Sequence, residues 1–301
     1  METNNHCSVC IRECEIGKSF CHRRNEKGLL IDRDRFCAVT VDSLFDKPIV
    51  HFRGNLRTLS IGSWGCNLRC LGCQNVKLSW SENGKEIPGI EITPEEIIDM
   101  AVKKDCRAIC YTFNEPAVLL EAVEEIAKKA KKKGLYNILV TNSTLTERST
   151  HRIACRMDAI AADIKSMNDD FYYNYCGAEG IAEVAVKILK CIKAFYEAGC
   201  HVEVRTNIIP GANDQEENYH EIATWIRETL DNSVPWHITR FFPANKLIHL
   251  CATPSQSLLD AQKAGQEKGL KYVFTYMDKG CDCAREKYMA ELISNSCPRC
   301  S

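Results

Sequence analysis

Along this chain, short apolar and β-branched runs alternate with longer stretches whose apolar residues recur every three or four positions. The runs Leu56–Ile61, Ala108–Thr112, Asn137–Thr141, Ala159–Ile164, His201–Ile208 and Trp236–Arg240 predict strands, with Lys271–Tyr276 as an extra one. Helical spacing predicts helices over Pro94–Lys104, Ala117–Lys133, Ile181–Ala198, Asp214–Leu230 and Pro254–Lys268. In the second of these, Leu119, Val123, Ile126 and Ala130 form one apolar stripe, and glutamates and lysines occupy the opposite face. Thr93, Pro94 and Glu96 have the form of a capping box with proline in the first turn. Regular strand–helix alternation implies a parallel sheet. The expectation is an α/β fold, an incomplete (β/α)6-type barrel with its active site at the C-terminal ends of the strands.

Composition changes this picture through cysteine. The 19 cysteines of this 301-residue chain crowd towards its ends. They divide it into a Cys-rich N-terminal extension over 1–55, a barrel body over 56–276 and a Cys-rich tail over 277–301. Disulfide-dense scaffolds are short, whereas this chain is 45% hydrophobic and carries enough apolar residues for a full core. The start lacks the basic-then-apolar order of an export signal, and charges interrupt every apolar run before the roughly 18 residues that span a bilayer. We therefore expect a cytoplasmic protein with no membrane partner, whose thiols bind metal in a reducing, anaerobic setting. A formal net charge of −1 offers no broad attraction to nucleic acid. The lysines at 128, 129 and 131–133 sit where a helix ends, which suits the helix dipole.

The candidate chemistry centres on Cys66, Cys70 and Cys73, a C-x3-C-x2-C loop directly after the first predicted strand. Thiolate is the ligand that iron–sulfur clusters require, and three ligands instead of four leave one iron open to a small molecule. A zinc loop is the alternative for such spacing.

The segment Cys-Asn-Leu-Arg-Cys-Leu-Gly-Cys-Gln-Asn resembles the cluster loop of radical S-adenosylmethionine (SAM) enzymes, in particular the pyruvate formate-lyase activating group. Tyr111–Pro116, Asp163-Ile-Lys165 followed by Phe171–Gly177, Ile209–Asp214 and Pro235–Phe241 resemble landmarks of AmmeMemoRadiSam system radical SAM proteins. The head, with Cys7, Cys10, Cys14, Cys21, Arg24 and Asn25, and the tail Cys297-Pro-Arg-Cys300 are similar to that family as well. The resemblance covers nearly the whole chain. It implies a [4Fe-4S] cluster on Cys66, Cys70 and Cys73 that binds SAM and cleaves it reductively to a 5′-deoxyadenosyl radical. That radical would abstract hydrogen from a protein, peptide or small molecule, with a ferredoxin or flavodoxin as electron donor. Two positions depart from the pattern: Gly72 stands where the family has an aromatic residue against the cluster, and Val140-Thr-Asn-Ser replaces Asp-Thr-Asn-Gly.

Several further residues are candidates for the SAM site. Asn114 and Glu115 end the second predicted strand, where Glu115 is expected to accept from the SAM amino group or, alternatively, to cap the next helix. Lys165 and Arg205 end the fourth and fifth strands and suit the SAM carboxylate or ribose, with Asp163 orienting Lys165; ordinary ion pairing is the alternative. His237 and Arg240 are candidates for the SAM or substrate pocket; a satisfied structural histidine is the alternative for His237. Cys7, Cys10, Cys14 and Cys21 suggest a second centre, zinc or [4Fe-4S], and Cys281, Cys283, Cys297 and Cys300 offer further ligands. Cys176 stands out among the other cysteines because it falls near the barrel mouth. Two other functions stay open: a radical SAM transferase that modifies a macromolecule, and a noncatalytic iron–sulfur or zinc sensor.

Overall fold

The computed structural model describes residues 5–276, in which apolar runs form ten strands. They are β1 (Arg35–Phe36), β2 (Ala38–Ser43), β3 (Arg57–Gly62), β4 (Ile90–Glu91), β5 (Ala108–Tyr111), β6 (Tyr136–Thr141), β7 (Ala159–Asp163), β8 (His201–Ile208), β9 (Trp236–Arg240) and β10 (Val273–Tyr276). The α-helices are α1 (Val76–Ser79), α2 (Pro94–Lys103), α3 (Leu120–Lys132), α4 (Glu147–Ala154), α5 (Asp169–Cys176), α6 (Val184–Glu197), α7 (Glu216–Trp225) and α8 (Ser255–Glu267).

Eight strands share one sheet in the order β10-β9-β8-β7-β6-β5-β3-β2. Neighbours from β3 to β10 are parallel, and β2 lies antiparallel to β3 at the edge. The six expected strands are therefore consecutive in the sheet, and the extra one is β10. Among the described residues no pairing joins β2 to β10, so the barrel is incomplete, as the alternation predicted. The pair β1–β4 stands apart. No helix among the described residues is long and apolar enough to cross a membrane. Cys281, Cys283, Cys297 and Cys300 lie outside the described residues.

Local chemistry explains where prediction and structure agree and where they part. Thr93 Oγ1 accepts from Glu96 N while the Glu96 carboxylate accepts from Thr93 N, so α2 starts on the expected capping box. Helix α6 starts at Val184 and not at Ile181, because Glu183 adopts a left-handed φ of 53°. The Asp169 carboxylate then caps it, accepting from Val184 N at 3.2 Å and Ala185 N at 2.8 Å. Helices α4 and α5 were not foreseen. The short, polar α4 buries Ile153 and Ala154 as its only apolar residues, and α5 coincides with the aromatic motif Phe171–Gly177. Strand β2 was missed as well: it lies within residues 1–55, yet it pairs along the whole of β3 and so belongs to the sheet.

The head is bound to the barrel. Ile11 N donates to Thr144 O at 2.9 Å, and Arg24 makes two bonds to Glu121, at 2.6 and 2.9 Å. After β2 the chain crosses the inside of the sheet at the strands' N-terminal ends. Leu44, Ile49 and Phe52 pack there on Ala108, Cys110, Ile138, Val140, Ala159 and Ala161. Small side chains on β5 and β7 leave the room that these large ones fill.

At the opposite end, Gly62 closes β3 just before the cysteine loop. A Cβ there would fall 2.5 Å from Thr112 O and 2.9 Å from Phe113 Cβ. Gly62→Ala is therefore expected to cost about 1–3 kcal/mol of stability through overpacking. Anaerobic urea unfolding of the two proteins measures it; equal midpoints would refute the close approach.

Candidate active site

The loop after β3 is neither helix nor strand, and neighbouring side chains fix its course. Asn114 Oδ1 accepts from Ser63 N at 2.9 Å, and its Nδ2 donates to Gly65 O at 2.8 Å. Buried Arg23 donates to Ser63 Oγ and Trp64 O, both at 2.8 Å, and lies over the Trp64 ring. Gly65 has φ +76°, and a Cβ on it would meet Cys21 O at 2.5 Å, so the head presses directly on the residue before Cys66. Arg12 donates through Nε to Asn67 O at 2.7 Å and also to Gly177 O. The loop's far side rests on the end of α5, with Arg69 N donating to Cys176 O and Leu71 N to Tyr175 O, each at 2.8 Å.

This packing brings the three expected thiols together. Cys66 is buried, while Cys70 and Cys73 are partly exposed. No described cysteine is in a disulfide. Burial pushes the Cys66 thiol far up, with Cys70, Glu115 and Cys73 adding like-charge repulsion. Cys70 is raised first by its hydrogen bond with Cys176 and then by burial. Three mutually repelling thiolates, one of them buried, are unfavourable alone and suit a polycation that takes their protons' place. Three thiols on one loop are the soft donor set that a multi-iron cluster requires.

Gly72 does not leave a gap. A Cβ there would be 2.9 Å from Phe241 Cε2 and 3.3 Å from Leu247 Cδ1. Lys246 N also donates to Leu71 O at 2.9 Å. The segment after β9 thus supplies an aromatic ring beside the loop from elsewhere in the chain. The Val140 departure has a similar reason, since Val140 points into the packed inner cluster.

The candidate SAM residues divide into three groups. Asn114 is engaged with the cysteine loop, as above. Glu115 accepts from Ala117 N at 3.0 Å, Thr141 Oγ1 at 2.8 Å and Asn142 N at 2.7 Å, and so ties the ends of β5 and β6 as well as capping the turn at Pro116. Lys165 and Arg205 meet at Asp163: Lys165 Nζ is 2.6 Å from Oδ2, and Arg205 Nε is 2.6 Å from Oδ1. Desolvation opposes the charge of Lys165, but Asp163, Cys70 and Cys176 hold its pKa above the ordinary value. This places a partly exposed cation beside the cysteine loop. His237 lies elsewhere: it is wholly buried inside the barrel, with Nε2 2.5 Å from Glu203 and Nδ1 3.0 Å from Tyr276 Oη. Arg240 donates to Ser255 Oγ at 2.8 Å.

The four head cysteines form a second group. Cys7 N donates to Cys14 O at 2.8 Å. Burial raises the Cys7 thiol and pushes Cys10 up to about 12, and each is further raised by Cys21 and Cys14. Cys10 also hydrogen-bonds Asn67, the neighbour of Cys66, so the head group adjoins the triad loop. Sequence reasoning missed Arg12, Asn67 and Glu203. Only Glu203 carried a signal, because His201, Glu203, Arg205 and Asn207 alternate polar groups along one face of a strand.

Burial is the main cause that raises Glu115 to about 7, although Asn142 and Ala117 bond its charged form. A folded pKa above the ordinary 4.5 means that the stabilisation is complete below pH 4.5 and is lost as pH rises through 7. Wild type is expected to lose about 3 kcal/mol through this group across that window. Glu115→Gln should flatten the slope while lowering stability overall. Anaerobic denaturant unfolding at pH 5 and pH 7.5 checks this, and parallel slopes in the two proteins would refute it.

Comparison with known proteins places these features. The Radical SAM superfamily matches residues 61–223. The uncharacterized protein MJ0808 of Methanocaldococcus jannaschii is 34% identical over 274 residues, 89% of this chain and 80% of that protein. The pyruvate formate-lyase 1-activating enzyme of Escherichia coli is 23% identical over 172 residues, 54% of this chain and 66% of its own length. Among solved structures, SuiB of Streptococcus suis superposes with a TM-score of 0.55 at 13% identity, covering 78% of this chain and 52% of SuiB. A radical SAM methyltransferase from Sphaerobacter thermophilus gives 0.53 at 14% identity, covering 75% of this chain and 68% of its own. The superfamily match takes in more than half the chain, from the end of β3 to α7, and the sheet is the one its solved relatives share: the chain belongs to the radical SAM superfamily and is homologous to pyruvate formate-lyase activating enzymes.

Proposed function

We propose that this chain is a radical SAM enzyme of the AmmeMemoRadiSam system type, in which Cys66, Cys70 and Cys73 hold a [4Fe-4S] cluster. When bound, cluster and SAM supply a 5′-deoxyadenosyl radical for hydrogen abstraction. One observation carries the reading: the three thiols and the Asp163–Lys165–Arg205 group converge at one barrel mouth, on loops that other side chains pin in place. Lys165 and Arg205 offer cationic donors for the SAM carboxylate, with Asp163 keeping both extended towards the mouth. Asn114 acts by positioning the cysteine loop. Glu115 keeps the β5 and β6 ends together and presents its remaining lone pairs towards the SAM amino group.

A protein or peptide is the substrate class we favour. SuiB has been solved with its precursor peptide SuiA, at a TM-score of 0.51 and 15% identity to this chain, and the homologous activating enzymes are named for the protein pyruvate formate-lyase. Residues 1–55 serve in this reading as a docked extension with a second centre on Cys7, Cys10, Cys14 and Cys21. Four thiolates suit either zinc or a [4Fe-4S] cluster there. Contact of Cys10 with Asn67 would let such a centre pass electrons from a ferredoxin or flavodoxin towards the triad.

Replacing Cys66, Cys70 or Cys73 singly by alanine is expected to abolish the SAM-cleaving cluster. The assay is 5′-deoxyadenosine formation after anaerobic reconstitution with dithionite as reductant; a single variant with wild-type yield would show that the ligand assignment is wrong. A Cys7/Cys10 double alanine variant should lose only the metal in excess of one cubane. Iron and zinc analysis decides, and wild-type protein with one cubane and nothing more would remove the second centre.

A further inference from the structure

Opposite the mouth, the barrel interior holds an ionic cluster that the radical chemistry does not use. Glu203 on β8 is wholly buried, as are His237 on β9 and His51 on the segment that crosses from β2. We propose that His51, Glu203 and His237 bind a divalent transition-metal ion, zinc being the ion this donor set fits, and that the ion locks the crossing segment to the sheet. The ligand atoms of all three lie within 4.8 Å of one another. His237 Nε2 is 2.5 Å and His51 Nδ1 3.7 Å from Glu203 Oε2. These separations bracket the roughly 3.3 Å that two ligands of a tetrahedral zinc keep between them. Two imidazoles and one carboxylate, with no thiolate nearby in the cluster, select zinc and similar borderline ions over an iron–sulfur cluster.

The surroundings have the form of a metal site's outer shell. Metal-bound imidazoles use their other nitrogen for a hydrogen bond, and His237 Nδ1 lies 3.0 Å from Tyr276 Oη. Glu203 Oε1 accepts from His51 N at 2.8 Å and from Val50 N at 3.1 Å, and it lies 2.8 Å from His201 Nε2, so its orientation is set while Oε2 faces the two imidazoles. Both rings are held by Phe274, at centroid distances of 5.2 and 5.3 Å and 25° between planes. An ion enclosed this completely enters as the chain folds and does not exchange afterwards. Its role is structural: it joins residues near 51, 203 and 237, and so holds the cover over the open side of the sheet.

The proposal does not depend on the radical SAM reading, and its test separates the two. Full-length protein is isolated anaerobically and analysed by elemental analysis and zinc-edge X-ray absorption. We expect one zinc per chain with only nitrogen and oxygen neighbours at about 2.0–2.1 Å. In His51→Ala zinc should fall about tenfold or more while iron is retained, whereas His201→Asn, which alters only an outer contact, keeps the zinc. Sulfur neighbours would assign the zinc to cysteines and overturn the proposal. So would wild-type protein without stoichiometric zinc after refolding in zinc chloride, or full zinc in His51→Ala. Should His51→Ala fail to fold, the wild-type coordination shell decides alone.

Discussion

A loop that must aim three sulfurs at one point cannot also be a helix or a strand, so its backbone polar groups need partners from outside it. That constraint organises the mouth of this protein. Asn114 serves the loop's entry, the carbonyls of Tyr175 and Cys176 its exit, and Arg12 its middle. Each partner has to be held in turn: Asn114 by the end of β5, the α5 carbonyls by their helix, and Arg12 by the head. The head therefore contributes structure to the cysteine loop through Arg12.

Electrostatics at the mouth follow from the same crowding. Several thiols and two carboxylates, Glu115 and Asp163, converge in a poorly solvated space, and each negative charge there raises the others. Three responses are visible. Burial and like charge favour the protonated thiols, Glu115 is shifted towards neutrality, and Asp163 keeps its charge because Lys165 and Arg205 flank it. The cations are thus placed by the acid between them, beside the cysteine loop.

What the sequence disclosed and what it hid divide by range. Cys66, Cys70 and Cys73 lie within one turn-rich loop, so their spacing alone marked them as one group; α2 and α3 were legible because caps and apolar stripes are local features. Asn114 and Glu115 were found as residues, but their bonds reach Ser63, Gly65, Thr141 and Asn142, which only the folded sheet brings near. His237 was a candidate for the SAM or substrate pocket with a structural role as its alternative; its depth inside the barrel depends on register, which the strand's own residues do not state. Phe241 filling the space at Gly72 was invisible for the same reason. Strand β2 was hidden by its setting, since Ala38–Ser43 directly follows the Cys-rich head and was grouped with it.

Register is also what joins the two ends of the barrel. On β8, Glu203 and Arg205 point to the same inner face two residues apart, a rise of about 6.6 Å. Arg205 pairs with Asp163 across the β7–β8 register, while Glu203 sits opposite Ala161 and meets His237 from β9. A slip of β8 by one residue would turn both side chains out of the barrel at once. It would leave Asp163 with one cation in place of two and strip His51 and His237 of their buried carboxylate. The cost of an unpaired buried charge at either end makes that slip unfavourable, so the ionic groups at the mouth and at the base hold the same strand in one position. Among the described residues the sheet has two unjoined edges and lacks the closure that fixes register in a full barrel, and these two charged contacts on β8 supply part of what closure would have provided.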